Sequence, residues 1–307
     1  MFHYLKNPIQ EAFIQDAELV NCPLCSSARY SPWMRAAAKN DMNLLFEIVS
    51  CDACGFKFTN PRPTMQNIGG YYGDDYYSYQ LPIDRVSAKL FSTKNKARFL
   101  DYGCGAGHKL IEKMNQGYEA YGVELDDKAR QIGRTLGLDI RPAKMDRIDF
   151  VDDYFDEIHI NNVLEHLHRP TAIIAEAFRC LKRGGRLWIE VPNIESFDSK
   201  LFGDMWRHLD VPLHLNHFGP QSLRFLLHKY DFKHYVMKTH HVPVFDPNLY
   251  YLKGLYTTMK IKFETETGSP ISRYLASRWF VVSRLLKYFV HRKNENDGNM
   301  LQVIAAK

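Results

Sequence analysis

The chain has 307 residues, of which 45% are hydrophobic and 24% charged, with a formal net charge of +5. That length holds one substantial core plus a small accessory module, and the composition excludes a disordered or fibrous chain. The mild, well-mixed charge argues for no particular acidic partner. No uncharged apolar run approaches the roughly 18 residues of a spanning helix. The N-terminal MFHYLKNPIQEAF lacks the layout of a secretory signal. A cytoplasmic location is therefore expected, where cysteines bind metal more often than they form disulfides.

Four zones follow in chain order. Residues 1–63 carry Cys22-Pro-Leu-Cys25 and Cys51-Asp-Ala-Cys54-Gly55, and end in the structure-breaking Asn60-Pro61-Arg62-Pro63. Two CxxC pairs with a glycine after the second fit a tetrahedral zinc site; a thioredoxin-like redox motif has one such pair. Four thiolates fill the coordination sphere, so Cys22, Cys25, Cys51 and Cys54 are expected to hold structural zinc that folds a small ribbon.

Residues 64–95 form a connector with Tyr71, Tyr72, Tyr76 and Tyr77. These rings either pack a lid helix or, at Tyr76 and Tyr77, close over a ligand. Over residues 96–237, apolar strands alternate with amphipathic helices, as in a parallel sheet with crossovers. ARFLDYG, YEAYGVEL, FDEIHIN and RLWIEVPN read as strands; HKLIEKMNQ, DDKARQIGRTLG, PTAIIAEAFRCLKRGG and QSLRFLLHKYDF read as helices, the third stopped by a glycine pair. Residues 238–307 begin strand-like and turn basic and apolar. Leu275, Trp279, Val282, Leu286 and Phe289 in the 273–293 stretch repeat at helical spacing, which predicts a docked helix or a homodimer surface before a peripheral membrane contact. The final NMLQVIAAK reads as an edge strand of the same sheet.

The stretch FLDYGCGAGHKL places glycines at 103, 105 and 107 between strand and helix, the nucleotide-binding arrangement of open α/β sheets. A dinucleotide fingerprint needs a further glycine at His108 or Leu110, so a pyrophosphate is disfavoured. Asp101 precedes the first glycine, where an anion repels phosphate and attracts a cation. Glu124 ends the next strand, placed to hold two ribose hydroxyls. A cationic, ribose-bearing, phosphate-free ligand is S-adenosylmethionine.

In order, DYGCGAG, GVELD, FDEIHINNVLEHL and LKRGGRLWIEVPN resemble the successive motifs of class I S-adenosylmethionine-dependent methyltransferases. The resemblance implies a Rossmann-like, mostly parallel sheet with its last strand antiparallel, beside the zinc ribbon. It implies that Asp101, Gly103, Gly105 and Gly107 line the amino-acid end of the cofactor, with Tyr102 and Cys104 in the same loop and Cys104 without chemistry of its own. Glu124 then holds the ribose, Leu125 with Met145 and Asp146 the adenine, and Asn161 and Asn162 lie beneath the methionine portion. CDACGFKFTNPRPT followed by YYGDDYYSY resembles a bacterial group found with polysaccharide and deoxysugar biosynthesis, including sugar C-methyltransferases with an N-terminal four-cysteine zinc site.

Methyl transfer needs alignment of donor and acceptor, and a hydroxyl or acidic C–H acceptor also needs a base. WRHLDVPLHLNHFG, after the RLWIEVPN strand, resembles the histidine loop of those sugar methyltransferases, with His214 at the base position and His217 beside it. Leu213 stands where those enzymes have a glutamate. The alternative is that His214 and His217 simply cap the following helix or bond to the main chain. Glu165-His166 resembles part of the metal-binding Glu-x-x-Glu-His pattern of some small-RNA and quinone methyltransferases, broken here by Asn162; His166 is expected to pack against the cofactor or line the acceptor pocket. Tyr76 completes the catalytic candidates, and His168 reads as a surface residue. The expected acceptor is small or glycan-related. The rivals are an RNA methyltransferase docking through the zinc ribbon, without DNA as a substrate, a silent binding protein of the same fold, and, more distantly, a nicotinamide-dependent oxidoreductase.

Overall fold

The computed structural model describes residues 16–38, 41–72, 96–144, 146–242 and 297–307. Tyr76, Tyr77, Met145 and the basic 273–293 segment lie outside them. No helix among the described residues is long and apolar enough to cross a membrane.

β6 (Arg98–Tyr102) lies inside a seven-stranded sheet. Its Phe99 and Leu100 are both fully buried, the pattern of a strand covered on two faces rather than one. β7 (Glu119–Glu124) and β9 (Phe155–Asn161) run parallel to it on either side, β8 (Asp139–Pro142) extends the sheet beyond β7, and β10 (Leu181–Pro192) lies parallel beyond β9. Parallel running brings the ends of β6, β7 and β9 to one edge, where such sheets bind ligands. Between strands lie α1 (His108–Asn115), α2 (Asp127–Thr135) and α3 (Pro170–Cys180). The Asp126 side chain caps α2 by accepting from Ala129 N at 2.8 Å, and Pro170 opens α3 where its missing N–H costs nothing. α4 (Phe197–Phe202) and α5 (Pro220–Lys229) follow, the latter leading into the edge strand β12 (His234–His240).

The last strand differs from its expected place. β13 (Met300–Ala306) is not at the edge: it is inserted between β10 and β12, antiparallel to both, so its backbone is paired on two sides. The full order is β12-β13-β10-β9-β6-β7-β8. Leu301, Val303 and Ala305 are fully buried on one face, which an edge position alone would not require. α3 also ends earlier than its sequence pattern suggests. Leu181 is already extended (φ −72°, ψ 137°) and buried opposite Phe155, and Gly184 (φ +76°) sits in an irregularity of β10 rather than at a helix end. β8 is an addition to the expected strands, with no sequence signal beyond Ile140, its single buried apolar residue. β12 runs through the 237/238 boundary that composition suggests.

The N-terminal part is β1 (Ala17–Glu18) paired with β5 (Arg62–Pro63), and a hairpin of β2 (Tyr30–Ala38) and β3 (Asp41–Cys51) extended by β4 (Lys57–Thr59). Its fourth strand, β11 (Asn216–His217), comes from the histidine loop and pairs antiparallel with β4. Phe56, Phe58, Leu24 and Cys51 belong to the same buried cluster as Leu100, Ile158 and Phe218. Phe56 and Phe218 lie 5.2 Å apart between ring centres. The cysteine part and the large sheet thus share one core, each such ring contributing roughly 2 kcal/mol by burial.

At the opposite edge of the sheet from the ligand loops, Glu157 is buried with Lys113 and His159. Its Oε1 accepts from Lys113 Nζ at 2.5 Å and from His159 Nε2 at 2.7 Å, and its Oε2 from Arg186 at 3.0 Å. Burial pushes the carboxyl up, but the bonds from His159 and Lys113 outweigh it and bring it down to about 2. A depressed carboxyl contributes its full stabilisation above the ordinary carboxylate range and loses it as the pH falls towards 2. Glu157→Ala strands the Lys113 ammonium in the core and should lower the unfolding free energy by about 3 kcal/mol in urea titration; a loss under about 1 kcal/mol contradicts this role.

Candidate active site

Three strand ends build the ligand edge. At the end of β6 the chain turns through Gly103 (φ +81°), Gly105 (φ +54°) and Gly107 (φ +97°) into α1. A Cβ at Gly103 would stand 2.3 Å from Val163 Cγ2, so a bare backbone is what allows the loop after β9 to close over the turn. Gly103 N and Cys104 N both donate to Val123 O, at 2.7 and 3.2 Å, which fixes the turn to β7.

Glu124 ends β7, half-buried, with Oε2 accepting from Gly105 N at 2.8 Å and Oε1 from Asp126 N at 2.9 Å. A carboxylate has about four acceptor positions, so each oxygen so held can still accept a hydroxyl. That fits a vicinal diol. Asp101 is 7% exposed, and burial raises its carboxyl to about 7, with Lys109 opposing and Glu124 adding to the rise. Two carboxylates beside a glycine turn disfavour phosphate and suit a cation. Leu125, beyond Glu124, is 62% exposed, an apolar surface for a flat ring, and Arg130 holds the carbonyls of Glu124 and Leu125. The residues present therefore fit S-adenosylmethionine.

Tyr102 is buried and donates to Lys144 O at 3.1 Å, bringing the loop that carries Asp146 to the end of β6. Asp146 itself pairs with Arg169 at 3.3 Å. The Cys104 thiol is buried, donates to Gly105 O at 3.4 Å, and is pushed up by burial and by Asp101, so it stays a thiol. Asn161 closes β9 and Asn162 adopts φ +53°, its N–H on Glu190 O at 2.7 Å, turning the chain back toward Gly103.

The histidine candidates separate. His166 Nδ1 donates to Leu213 O at 3.0 Å, and His214 Nδ1 to His208 O at 2.8 Å. A carbonyl can only accept, so in both rings Nδ1 carries the proton and the lone pair lies on Nε2. The rings meet edge-on at 4.6 Å, and a ligand atom from each of Glu165, His166 and His214 lies within 4.8 Å of the others. Glu165 Oε2 is buried without a hydrogen-bond partner among the described residues, and burial raises that carboxyl to about 8. His166 is held down, to about 3, by burial and by His214. Tyr72 approaches His166 with ring centres 6.4 Å apart.

His217 faces elsewhere: its Nε2 lies 3.2 Å from Thr59 Oγ1, in the seam with the cysteine part. His168, read as a surface residue, is instead 6% exposed and donates through Nε2 to Pro63 O at 3.0 Å. Thr59 and Asn216, both buried, are signalled by no motif; only the folded pairing of β4 with β11 reveals them.

The four cysteines converge. Cys22 Sγ is 3.6 Å from Cys54 Sγ, and Cys25 Sγ 3.5 Å from Cys51 Sγ, close to the roughly 3.8 Å edge of a tetrahedral zinc–thiolate centre. The two knuckles repeat one geometry: Ser26 N donates to Cys22 O and Gly55 N to Cys51 O, each at 2.8 Å, with Ser26 (φ +64°) and Gly55 (φ +72°) in the same left-handed position. Such a set can hold a tetrahedral thiophilic cation.

Residues 73–235 match the family model described as a methyltransferase domain. An uncharacterized protein of Methanocaldococcus jannaschii is 34% identical over 107 residues, 35% of this chain and 50% of that one. The ubiquinone biosynthesis O-methyltransferase of Xanthomonas oryzae pv. oryzae is 32% identical over 118 residues, 36% of this chain and 48% of that one. The chain thus spans about half the length of the curated relatives it matches. Among solved structures, a SAM-dependent methyltransferase from Archaeoglobus fulgidus aligns with a TM-score of 0.46 at 18% identity, covering 70% of this chain and 87% of that one. The family match extends over more than half of the chain and encloses the glycine turn, Glu124 and the histidine loop. The chain belongs to the methyltransferase-domain family and carries a class I S-adenosylmethionine-dependent methyltransferase domain.

Proposed function

We propose that the protein transfers a methyl group from S-adenosylmethionine to a hydroxyl or acidic C–H of a small or glycan-related acceptor: a sugar, a nucleotide sugar or a lipid-linked saccharide. The observation that carries methyl transfer is the glycine turn flanked by Asp101 and Glu124, which suits a cationic nucleoside and disfavours phosphate. When bound there, the cofactor supplies an already activated methyl group. What the chain adds is alignment and a proton acceptor. The glycan assignment rests on the resemblance of the cysteine module and the histidine loop to sugar methyltransferases.

His214 is the proposed base, because its bond to His208 O fixes the tautomer whose Nε2 can take a proton. A second reading is favoured by one observation, Glu165 Oε2, without a hydrogen-bond partner among the described residues, beside His166 and His214. A divalent cation held by these three would lower the acceptor hydroxyl's pKa in place of His214. The cysteine centre is proposed to hold zinc, closed by four thiolates and therefore structural.

Glu124→Ala should weaken binding of S-adenosylmethionine at least tenfold by calorimetry; an unchanged dissociation constant removes Glu124 as the ribose anchor. His214→Asn should leave that affinity within twofold and cut methylation of an accepted nucleotide sugar by a hundredfold or more. Equal turnover removes the base, and salt-sensitive RNA binding without sugar turnover overturns the acceptor. Metal analysis should find one zinc per chain, lost in Cys22→Ser. None bound refutes the cysteine centre; two metals, one surviving Cys22→Ser, favour the cation reading of Glu165.

A further inference from the structure

Among the described residues, the cysteine module is joined to the histidine loop by a set of buried polar connections. Thr59, the last residue of β4, is fully buried and makes three bonds across the seam. Its N–H donates to Leu215 O at 3.0 Å, its Oγ1–H to His214 O at 3.0 Å, and its Oγ1 accepts from His217 Nε2 at 3.2 Å. The hydroxyl proton is committed to His214 O, so the third bond requires His217 as donor. Asn216, 1% exposed, carries the connection one step further. Its Nδ2 donates to Leu167 O at 2.6 Å and to Leu164 O at 3.2 Å, and Leu215 N donates to Glu165 O at 2.7 Å. Three segments distant in sequence are thus knotted together: β4, residues 214–217, and the turn bearing Glu165 and His166.

On the other side, β4 is fixed by the knuckles. The second knuckle leads straight into it, with Cys51 N on Phe56 O at 2.8 Å. The next residue, Asn60, grips the chain before the first knuckle, accepting from Val20 N at 3.0 Å and donating to Val20 O at 3.2 Å. Lys229 of α5 donates to Leu24 O inside the first knuckle at 2.8 Å.

We propose that the four-cysteine module is the brace of the histidine loop: the knuckles fix Thr59, Thr59 positions His214, and Asn216 relays that position to the Glu165–His166 turn. Thr59 and Asn216 are positioning residues, acting through His214 rather than on a ligand. The proposal rests on the readings of His214 and of the cysteine metal given above. It also gives the metal a role beyond folding the ribbon, since order at the knuckles becomes order at the loop.

Hydrogen exchange on the full-length, metal-loaded protein tests this without an acceptor. Thr59→Val keeps the backbone bond but removes both hydroxyl bonds, and should speed exchange in peptides covering 213–217 and 164–167 at least about tenfold, the scale of even one lost buried hydrogen bond. Thr59→Ser should restore protection to within twofold, and peptides over 98–124 and the affinity for S-adenosylhomocysteine should stay unchanged in both. Chelation, with metal content measured alongside, should loosen 213–217 together with 51–59. Unaltered protection of 213–217 in Thr59→Val, equal loss in Thr59→Ser, or loosening of 51–59 on chelation with 213–217 still protected overturns the brace. A preparation without bound metal removes the zinc reading and leaves the two Thr59 variants to decide the brace.

Discussion

Everything at the ligand edge depends on β6 being buried on both faces and hydrogen-bonded on both sides. Phe99 and Leu100 fix the strand between β7 and β9, and the chain must leave it at Asp101 and Tyr102 with no freedom to slide. The turn that follows closes onto Val123 O, so the Gly105 amide reaches the carboxylate at the end of the neighbouring strand. Two acidic groups, Asp101 and Glu124, end up in one poorly solvated place. Burial raises the Asp101 carboxyl to about 7, and Glu124 adds to that rise. A positive ligand relieves that cost and a phosphate deepens it. The preference for a cation proposed for this site follows electrostatically from where a parallel strand is forced to stop.

The histidine side, proposed to meet the acceptor, is assembled differently, from segments that lie far apart in the chain. β11 belongs by sequence to the loop after β10 but by hydrogen bonding to the cysteine part. Phe56, Phe58 and Phe218 seal the same seam with aromatic packing. The two parts share one buried cluster and one four-stranded sheet.

Much of the cofactor side is legible in the sequence because its signals are local. Glycine spacing, a carboxylate before the turn and a carboxylate at the next strand end all lie within one β-α-β stretch, and CxxC pairs announce their chemistry at a distance of three residues. The histidine side is less legible because its determinants are pairings. Nothing near Thr59 or Asn216 marks them, His168 is drawn inside by Pro63 O, and His217 is turned toward Thr59 by the register of β11. The inner position of β13 escapes the sequence for the same reason: an alternating strand pattern specifies a face, not which neighbours flank it. The early end of α3 reflects Leu181, whose burial opposite Phe155 overrides a helical pattern that otherwise continues to Gly185.

The decisive measurement is a crystal structure with S-adenosylmethionine bound. Density for the ribose on Glu124, with the sulfonium end beside Asp101 and the Gly103–Gly107 turn, is the expected result. Density elsewhere, or a nicotinamide dinucleotide occupying the turn in its place, would contradict the assignment.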